Sequence, residues 1–230
     1  MTIQNGDFVT LSYTGSIDGN IFDTTNEEEA KSAGMHIPQA LYGPMTVRAG
    51  SRHIIEGLDE ALIGKEEGFE GDILVSPEKG FGLHDRKRVE SFQKNKFKEK
   101  PVRGMNVKIE ELGEGVVIDV IGSRVIVDFN HPLSGKTLSY HVKIESKVED
   151  LLEKVKGLIH VYAGRDMEIT YIDGKLTISI PPGISYDRRW VMWRSRIIHE
   201  SFEFIPDIQE IVLLETFKRP EQSIKNTVED

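Results

Sequence analysis

Hydrophobic and polar positions change period repeatedly along this chain, and each change predicts an element. From Val9 to Tyr13 apolar and polar residues alternate, so Val9, Leu11 and Tyr13 share one face of a strand and that face points into a core. Asp18-Gly19, flanked by Ile17 and Ile21-Phe22, predicts a two-residue hairpin, because both turn positions need positive φ and these residues accept it. The hairpin folds Phe22 and Asp23 back beside Tyr13. Thr24 to Pro44, punctuated by Gly34, Pro38, Gly43 and Pro44, reads as a long loop with one helical turn near Glu27-Glu28-Glu29-Ala30-Lys31. Met45 to Ala49 suits a short strand. Ile54, Ile55, Leu58 and Leu62 then recur at helical spacing, with Ser51 upstream and Gly64 at the stop, which predicts a short helix buried on one face. Gly68 to Ser76 returns to strand until Pro77 removes a ladder donor, and Gly80-Phe81-Gly82 presents an aromatic on a loop.

From Arg86 to Arg103 basic residues crowd in and apolar ones thin out, marking a boundary. Beyond it, Asn106 to Ile109, Val116 to Val120 and Arg124 to Phe129 are three strand-like runs separated by glycines, a small meander. Leu138 to Ile144 alternates again and would complete the sheet begun before Arg86, so the meander reads as an insertion. Val148, Leu151, Leu152, Val155 and Ile159 then predict an amphipathic helix leading away from that sheet. Ile169 to Ile180 forms a second hairpin around Asp173-Gly174. Asp187 can cap a helix to about Phe202 carrying Trp190, Trp193 and Ile197, and Ile208 to Phe217 reads as a closing strand. The expected class is α+β in three modules: a discontinuous domain over 1–85 and 129–147, an insert over 86–128, and an α-β-β-α-β unit over 148–230.

Composition narrows the chemistry. A chain of 230 residues with 38% hydrophobic and 29% charged positions can bury a core in each of two or three small modules. Its net charge of -9 argues against whole-molecule affinity for nucleic acid or anionic lipid. The basic stretch from Arg86 to Arg103 is the local exception, but Glu90 and Glu99 interrupt it and only Phe92 and Phe97 interleave, so a solvated face is expected there. With no cysteine, disulfides and thiolate chemistry are excluded. The seven histidines are scattered without an i, i+4 pair, and neither a metal nor a cofactor is expected. The first residues lack the basic and apolar regions of a signal peptide, and no apolar run reaches membrane-spanning length, so the expectation is a cytoplasmic protein with no membrane partner.

Three segments far apart in sequence then align with one family. Tyr13-Thr14-Gly15 with Asp18-Gly19 and Ile21-Phe22-Asp23-Thr24, next Ile54-Ile55-Glu56-Gly57-Leu58-Asp59-Glu60-Ala61-Leu62, and finally Ser76-Pro77-Glu78-Lys79-Gly80-Phe81-Gly82 resemble the FKBP-type peptidyl-prolyl isomerases. The segment Arg86 to Phe129 sits where SlyD-type members carry an insert-in-flap domain, and Asn130 to Leu138 looks like that subgroup's re-entry motif. There is no histidine-rich tail, and the third module is extra, so the overall order is similar to the long archaeal members. The resemblance implies an FKBP-like antiparallel sheet wrapped on a short helix, a small mainly-β insert and a C-terminal α+β domain without an assigned role. It also implies Tyr13 and Asp23 as the catalytic pair, and Phe22, Ile54, Ile55, Leu58, Phe81, Leu133 and Tyr140 as the substrate pocket. Leu58 stands where many members have tryptophan and Phe81 where tyrosine is common, which implies a plainer, more apolar cavity.

Residues of these types suffice for the implied reaction. Rotation about a peptide bond faces a barrier of about 18–20 kcal/mol, and no bond is broken, so a cavity fitting the twisted amide better than either planar isomer is enough. Outside the resemblance, Tyr13 reads sooner as a core tyrosine and Asp23 as a carboxylate capping a turn. The insert's Val107, Ile109, Val116, Ile118, Val125 and Val127 either fill its own core or form an exposed peptide-binding face. The expected partners are unfolded or nascent polypeptides containing proline, with a homodimer through the C-terminal domain left open by the aromatic stripe of Trp190 and Trp193. The alternative function is a holdase-type chaperone with weak or vestigial isomerase activity.

Overall fold

The computed structural model describes residues 1–218; the remainder of the third module, 219–230, lies outside the described residues. In chain order the first module contains β1 (Phe8–Ile17), β2 (Asn20–Thr24), α1 (Glu27–Ser32), β3 (Met45–Arg48), α2 (Glu56–Leu62) and β4 (Glu70–Val75). The insert follows with β5 (Val89–Gln93), β6 (Asn106–Ile109), β7 (Gly113–Ile121) and β8 (Arg124–Asp128), and the chain re-enters the first sheet as β9 (Leu138–Val148). The last module is α3 (Leu151–Ala163), β10 (Glu168–Ile172), β11 (Lys175–Ile180), α4 (Arg188–Phe204) and β12 (Glu210–Glu215).

Strand β1 organises the first sheet because both of its edges are paired. Antiparallel β9 lies along one edge, while β3 opposite Phe8 to Leu11 and β2 opposite Thr14 to Ile17 share the other. Strand β4 extends the sheet beyond β9. The alternation read from the sequence holds: Val9 and Leu11 are fully buried, with Leu58 and Leu62 of α2 packed in the same core. Asp18 and Gly19 both have positive φ, at 51° and 81°, as a tight hairpin between twisted strands requires. Helix α1 is longer than the expected single turn because the Asn26 side chain accepts from the Glu28 and Glu29 amides and caps it.

Helix α2 starts later than its hydrophobic spacing predicts. Ile54 and Ile55 lie in the entering loop, Ile55 with extended backbone at the N-cap position. Ser51 does not cap the helix. Instead buried Asp59 reaches back from α2, accepting from the Gly50 amide at 2.9 Å and the Arg52 amide at 2.7 Å. That carboxylate fixes the loop carrying His53, Ile54 and Ile55.

The insert is a four-stranded antiparallel sheet in the order β5-β8-β7-β6, not a three-stranded meander. The unexpected strand, β5, lies inside the basic stretch, where Glu90, Ser91 and Gln93 mask its alternation. Phe92 is buried with Val117, Val125, Val127 and Phe129, and Phe97 meets it edge-on at 6.3 Å, so both aromatics of the basic stretch serve the lobe's core. Val107 and Ile109 pack against that core, while Ile118 is exposed.

In the third module, Val148 ends β9 rather than opening the helix; Asp150 caps α3 by accepting from the Glu153 amide at 2.9 Å. Asp187 caps α4 as expected, through the Trp190 amide at 3.0 Å. The hairpin β10-β11 gains β12 as a parallel neighbour of β11, with α4 as the crossover. Trp190 is core, whereas Trp193 is partly exposed and stacks on Tyr162. Helix α3 does not lead away from the first sheet but lies against it. A Cβ placed on Gly157 would stand 2.8 Å from the Thr46 carbonyl oxygen, so glycine permits helix and β3 to meet. Phe8 and Val148 belong to the core of the third module, and Val161 packs on that of the first. Among the described residues no helix is long and apolar enough to cross a membrane.

Candidate active site

A cavity of about 400 Å³ opens between the β1-β2 hairpin, the loop entering α2, the Gly80-Phe81 turn and β9. Tyr13, Asp23, Ile54, Ile55, Leu58, Phe81 and Tyr140 line it, seven of the nine residues expected there. Phe22 stands behind the wall, meeting Phe81 edge-on at 6.2 Å and Tyr140 at 5.7 Å. Gly15 makes this cluster possible, since a Cβ there would lie 2.8 Å from the Tyr140 ring and 2.9 Å from Phe22. Leu133 is not among the lining residues; it is half-buried in the re-entry turn, its amide donating to His131 Nδ1 at 3.2 Å. From the same turn the His131 ring stacks on Phe81 at 4.3 Å and 5° between planes, so this segment reaches the pocket through a different residue.

Met45, His53 and Gly80 also line the cavity and were not anticipated. For His53 the local sequence offers only its adjacency to Ile54. What fixes its side chain is Glu200, far along the chain on α4, at 2.9 Å.

The polar part of the cavity is small and coupled. The Tyr13 hydroxyl donates to Asp23 Oδ2 at 3.1 Å. Burial pushes the Asp23 carboxyl above its ordinary range, against the opposing hydrogen bonds from Tyr13 and the Thr24 backbone. Burial, reinforced by the Asp23 charge, raises both Tyr13 and Tyr140 far above the usual tyrosine range, so these phenols remain protonated. Tyr13 and Tyr140 meet edge-on at 5.7 Å. The walls otherwise are aliphatic or aromatic. Such a site can hold an apolar ring, exclude water from an attached amide and place one carboxylate and phenolic dipoles beside it. Among the described residues no group of three or more His, Asp or Glu side chains is close enough to hold a metal ion.

A wrapped antiparallel sheet closed on a short helix thus frames an aromatic cavity with the hydrogen-bonded Tyr13–Asp23 pair in its wall. Residues 1–144 match the family model for FKBP-type peptidyl-prolyl cis-trans isomerases, and the chain belongs to that family. Residues 152–218 match a second model, described as FKBP26_C-terminal. The short-type peptidyl-prolyl cis-trans isomerase of Methanocaldococcus jannaschii is 36% identical over 148 residues, covering 62% of this chain and 92% of that protein. The FKBP-type isomerase SlyD of Aeromonas hydrophila is 29% identical over 162 residues, 68% of this chain and 70% of its own. The FKBP-type 16 kDa isomerase of Escherichia coli strain K12 is 24% identical over 149 residues, 62% and 92% respectively. The protein is therefore a peptidyl-prolyl cis-trans isomerase by family, and the family acts on proline-containing polypeptides.

Proposed function

We propose that the 400 Å³ cavity is the prolyl pocket, with Tyr13 and Asp23 as its catalytic pair and Ile54, Ile55, Leu58, Phe81 and Tyr140 as the walls around the ring, backed by Phe22. The observation that carries this reading is the Tyr13–Asp23 hydrogen bond inside a mainly aliphatic and aromatic enclosure. Removing water from the amide favours the less dipolar twisted form, and each tenfold acceleration needs only about 1.4 kcal/mol of preference for it. We divide the chain into an isomerase domain over 1–85 and 129–147, an insert-in-flap lobe over 86–128 and a C-terminal domain from 148; the three separate sheets support this division, with β9 carrying the first sheet one residue further, to Val148.

The lobe is proposed to capture unfolded chains and pass their prolines to the pocket. Exposed Val102, Leu112, Ile118 and Ile121 support this, since they are apolar positions the lobe does not spend on its own core. Exposed Val191, Met192 and Trp193 on α4 support self-association through the third module. In an assay on a short proline peptide, Asp23→Ala combined with Tyr13→Phe should abolish most of the acceleration; a rate that survives both removes the site assignment. If the protein is instead a holdase with vestigial catalysis, that double variant will suppress aggregation as well as the parent does, with the parent barely accelerating the peptide.

A further inference from the structure

The prolyl cavity does not end at Tyr13 and Asp23. A second cavity of about 390 Å³ shares Tyr13, Asp23, Met45 and His53 with it, and so adjoins it across the polar pair. One wall of this second space is the loop after α1, through Met35, Leu41 and Tyr42; the facing wall belongs to the third module, through His160, Val161 and Arg189. We propose that the second cavity is the subsite for residues flanking the substrate proline, that it takes a large apolar side chain, and that the C-terminal module is therefore part of the substrate-binding site.

The proposal rests on the reading of the first cavity as the prolyl pocket, and its own support is geometric. An extended chain advances roughly 3.3–3.6 Å per residue, so residues next to a proline seated among Ile54, Ile55 and Phe81 come within reach of the adjoining space. Four shared lining residues place the second cavity directly beside the first, on the other side of Tyr13 and Asp23. The chemistry of the walls is mixed in the way a peptide requires. Met35, Leu41, Met45 and Val161 offer apolar contact, and His160 offers ring nitrogens to a peptide backbone. Burial holds the His160 imidazole below its ordinary pKa, so it stays uncharged among these apolar groups near neutrality.

The third-module wall is also built rigidly. Arg189 donates to the Tyr162 carbonyl at 2.8 Å and the Val161 carbonyl at 2.9 Å, holding the last turn of α3. Gly164 ends that helix at φ 66°, where a side chain would be strained and would collide with Arg189. The buried His53–Glu200 contact then locks α4 to the loop that forms the prolyl pocket. A preformed wall of this kind binds without first being ordered, which favours a substrate-binding role.

The test compares two peptides, a four-residue proline substrate and a ten-residue one with leucines on both sides of its proline, as kcat/KM in the full-length protein. For Val161→Ala and, on the opposite wall, Leu41→Ala, the preference for the longer peptide should fall about tenfold, equivalent to about 1.4 kcal/mol of lost contact and expressed mainly in KM. Val161→Ile, which keeps the packing of α3 but narrows the groove, should shift preference from leucine to alanine flanks. Preference retained in both alanine variants, or an equal loss on both peptides, overturns the proposal. Phe81→Ala, at a residue that lines the first cavity and not the second, separates the two readings: it should slow both peptides alike, and if it does not, the prolyl assignment fails.

Discussion

His53 and Glu200 meet at 2.9 Å with neither side chain reaching solvent. His53 Nδ1 accepts from the Arg48 amide at 3.1 Å, which leaves Nε2 to face the carboxylate. Glu200 also accepts from the Tyr162 hydroxyl at 2.6 Å and from Arg196 at 2.5 Å. Three donors converge on one buried carboxylate, and one of them comes from the loop that shapes the prolyl cavity. The third module is thus joined to the pocket by a polar contact that is costly to break.

Removing Glu200 should unfold or loosen the protein rather than merely weaken it. Glu200→Ala strands a buried histidine and a half-buried phenol, and losing one partner of such a cluster typically costs about 3–5 kcal/mol. Urea melts of the full chain measure this. The pH dependence has a definite sign. Burial alone would raise the Glu200 carboxyl, but the hydrogen bonds from His53, Tyr162 and Arg196, with the attraction of His53, outweigh it and hold the group below its ordinary value. A carboxylate depressed on folding stabilises fully above its unfolded pKa and loses that contribution as pH falls through the folded one. The stability gap between parent and Glu200→Gln should therefore be constant above about pH 5.5 and shrink on acidification. A gap that instead widens in acid contradicts the assignment.

The isomerase rate should ignore the ordinary titration of tyrosine. An unperturbed phenol ionises near 10, yet burial keeps Tyr13 and Tyr140 protonated well beyond that. No proton is transferred in the proposed reaction. The short-peptide kcat/KM should stay flat from about pH 7 to the onset of alkaline unfolding, with no inflection near the free-phenol value. A falling limb there, seen while circular dichroism still reports folded protein, would mean that a pocket phenol ionises during turnover.

Gly157→Ala tests how tightly the third module is docked. In an isolated helix the change favours folding by about 1 kcal/mol. Here the new Cβ would press on the Thr46 side chain and carbonyl oxygen at 2.8 Å, all on β3 of the first module. Overpacking of this kind costs about 1–3 kcal/mol, so the net effect on the whole chain should be destabilising despite the better helix former. A raised melting temperature would show that α3 and β3 do not press together as described.

Local chemistry made much of this architecture legible in the sequence. Alternation at Val9, Leu11 and Tyr13, the Asp18-Gly19 and Asp173-Gly174 turns, and the Asp187 cap each depend on neighbours within a few residues, and each holds. Element ends depart from the hydrophobic pattern where a side chain acts from elsewhere. Asp59 caps backward onto the Gly50 loop, so Ile54 and Ile55 fall outside α2 despite their spacing. Strand β5 hid because an edge strand with Phe92 as its single buried residue shows almost no period. In the cavity, Tyr13, Asp23, Ile54, Ile55, Leu58, Phe81 and Tyr140 come together and Leu133 does not, while His53 owes its position to Glu200 and His131 its role to Phe81, relationships that only the folded chain creates.

The inserted lobe is tied at its neck, and cutting that tie should separate its contribution from that of the pocket. His84 Nε2 contacts Asp128 Oδ2 at 2.8 Å where the chain enters and leaves the lobe. Asn130 accepts from the Asp85 amide at 3.0 Å, and its amide nitrogen donates to the Asp85 carbonyl at 2.9 Å and to Asp128 Oδ1 at 2.8 Å. One side chain thus stitches both strands of the neck. Asn130→Ala removes all three bonds at a site partly open to water, where each contributes about 0.5–1.5 kcal/mol at most, so the lobe should loosen without the protein unfolding. Hydrogen exchange across residues 86–128 should quicken while that of β1 and β9 stays slow. If capture by the lobe feeds the pocket, proline-limited refolding of a protein substrate should slow several-fold, because a loosened neck no longer holds the captured chain over Tyr13 and Asp23. The short-peptide rate, which does not pass through the lobe, should remain that of the parent. Equal losses on both substrates would mean that the neck supports the pocket itself, and unchanged rates on both would mean that lobe and pocket work independently.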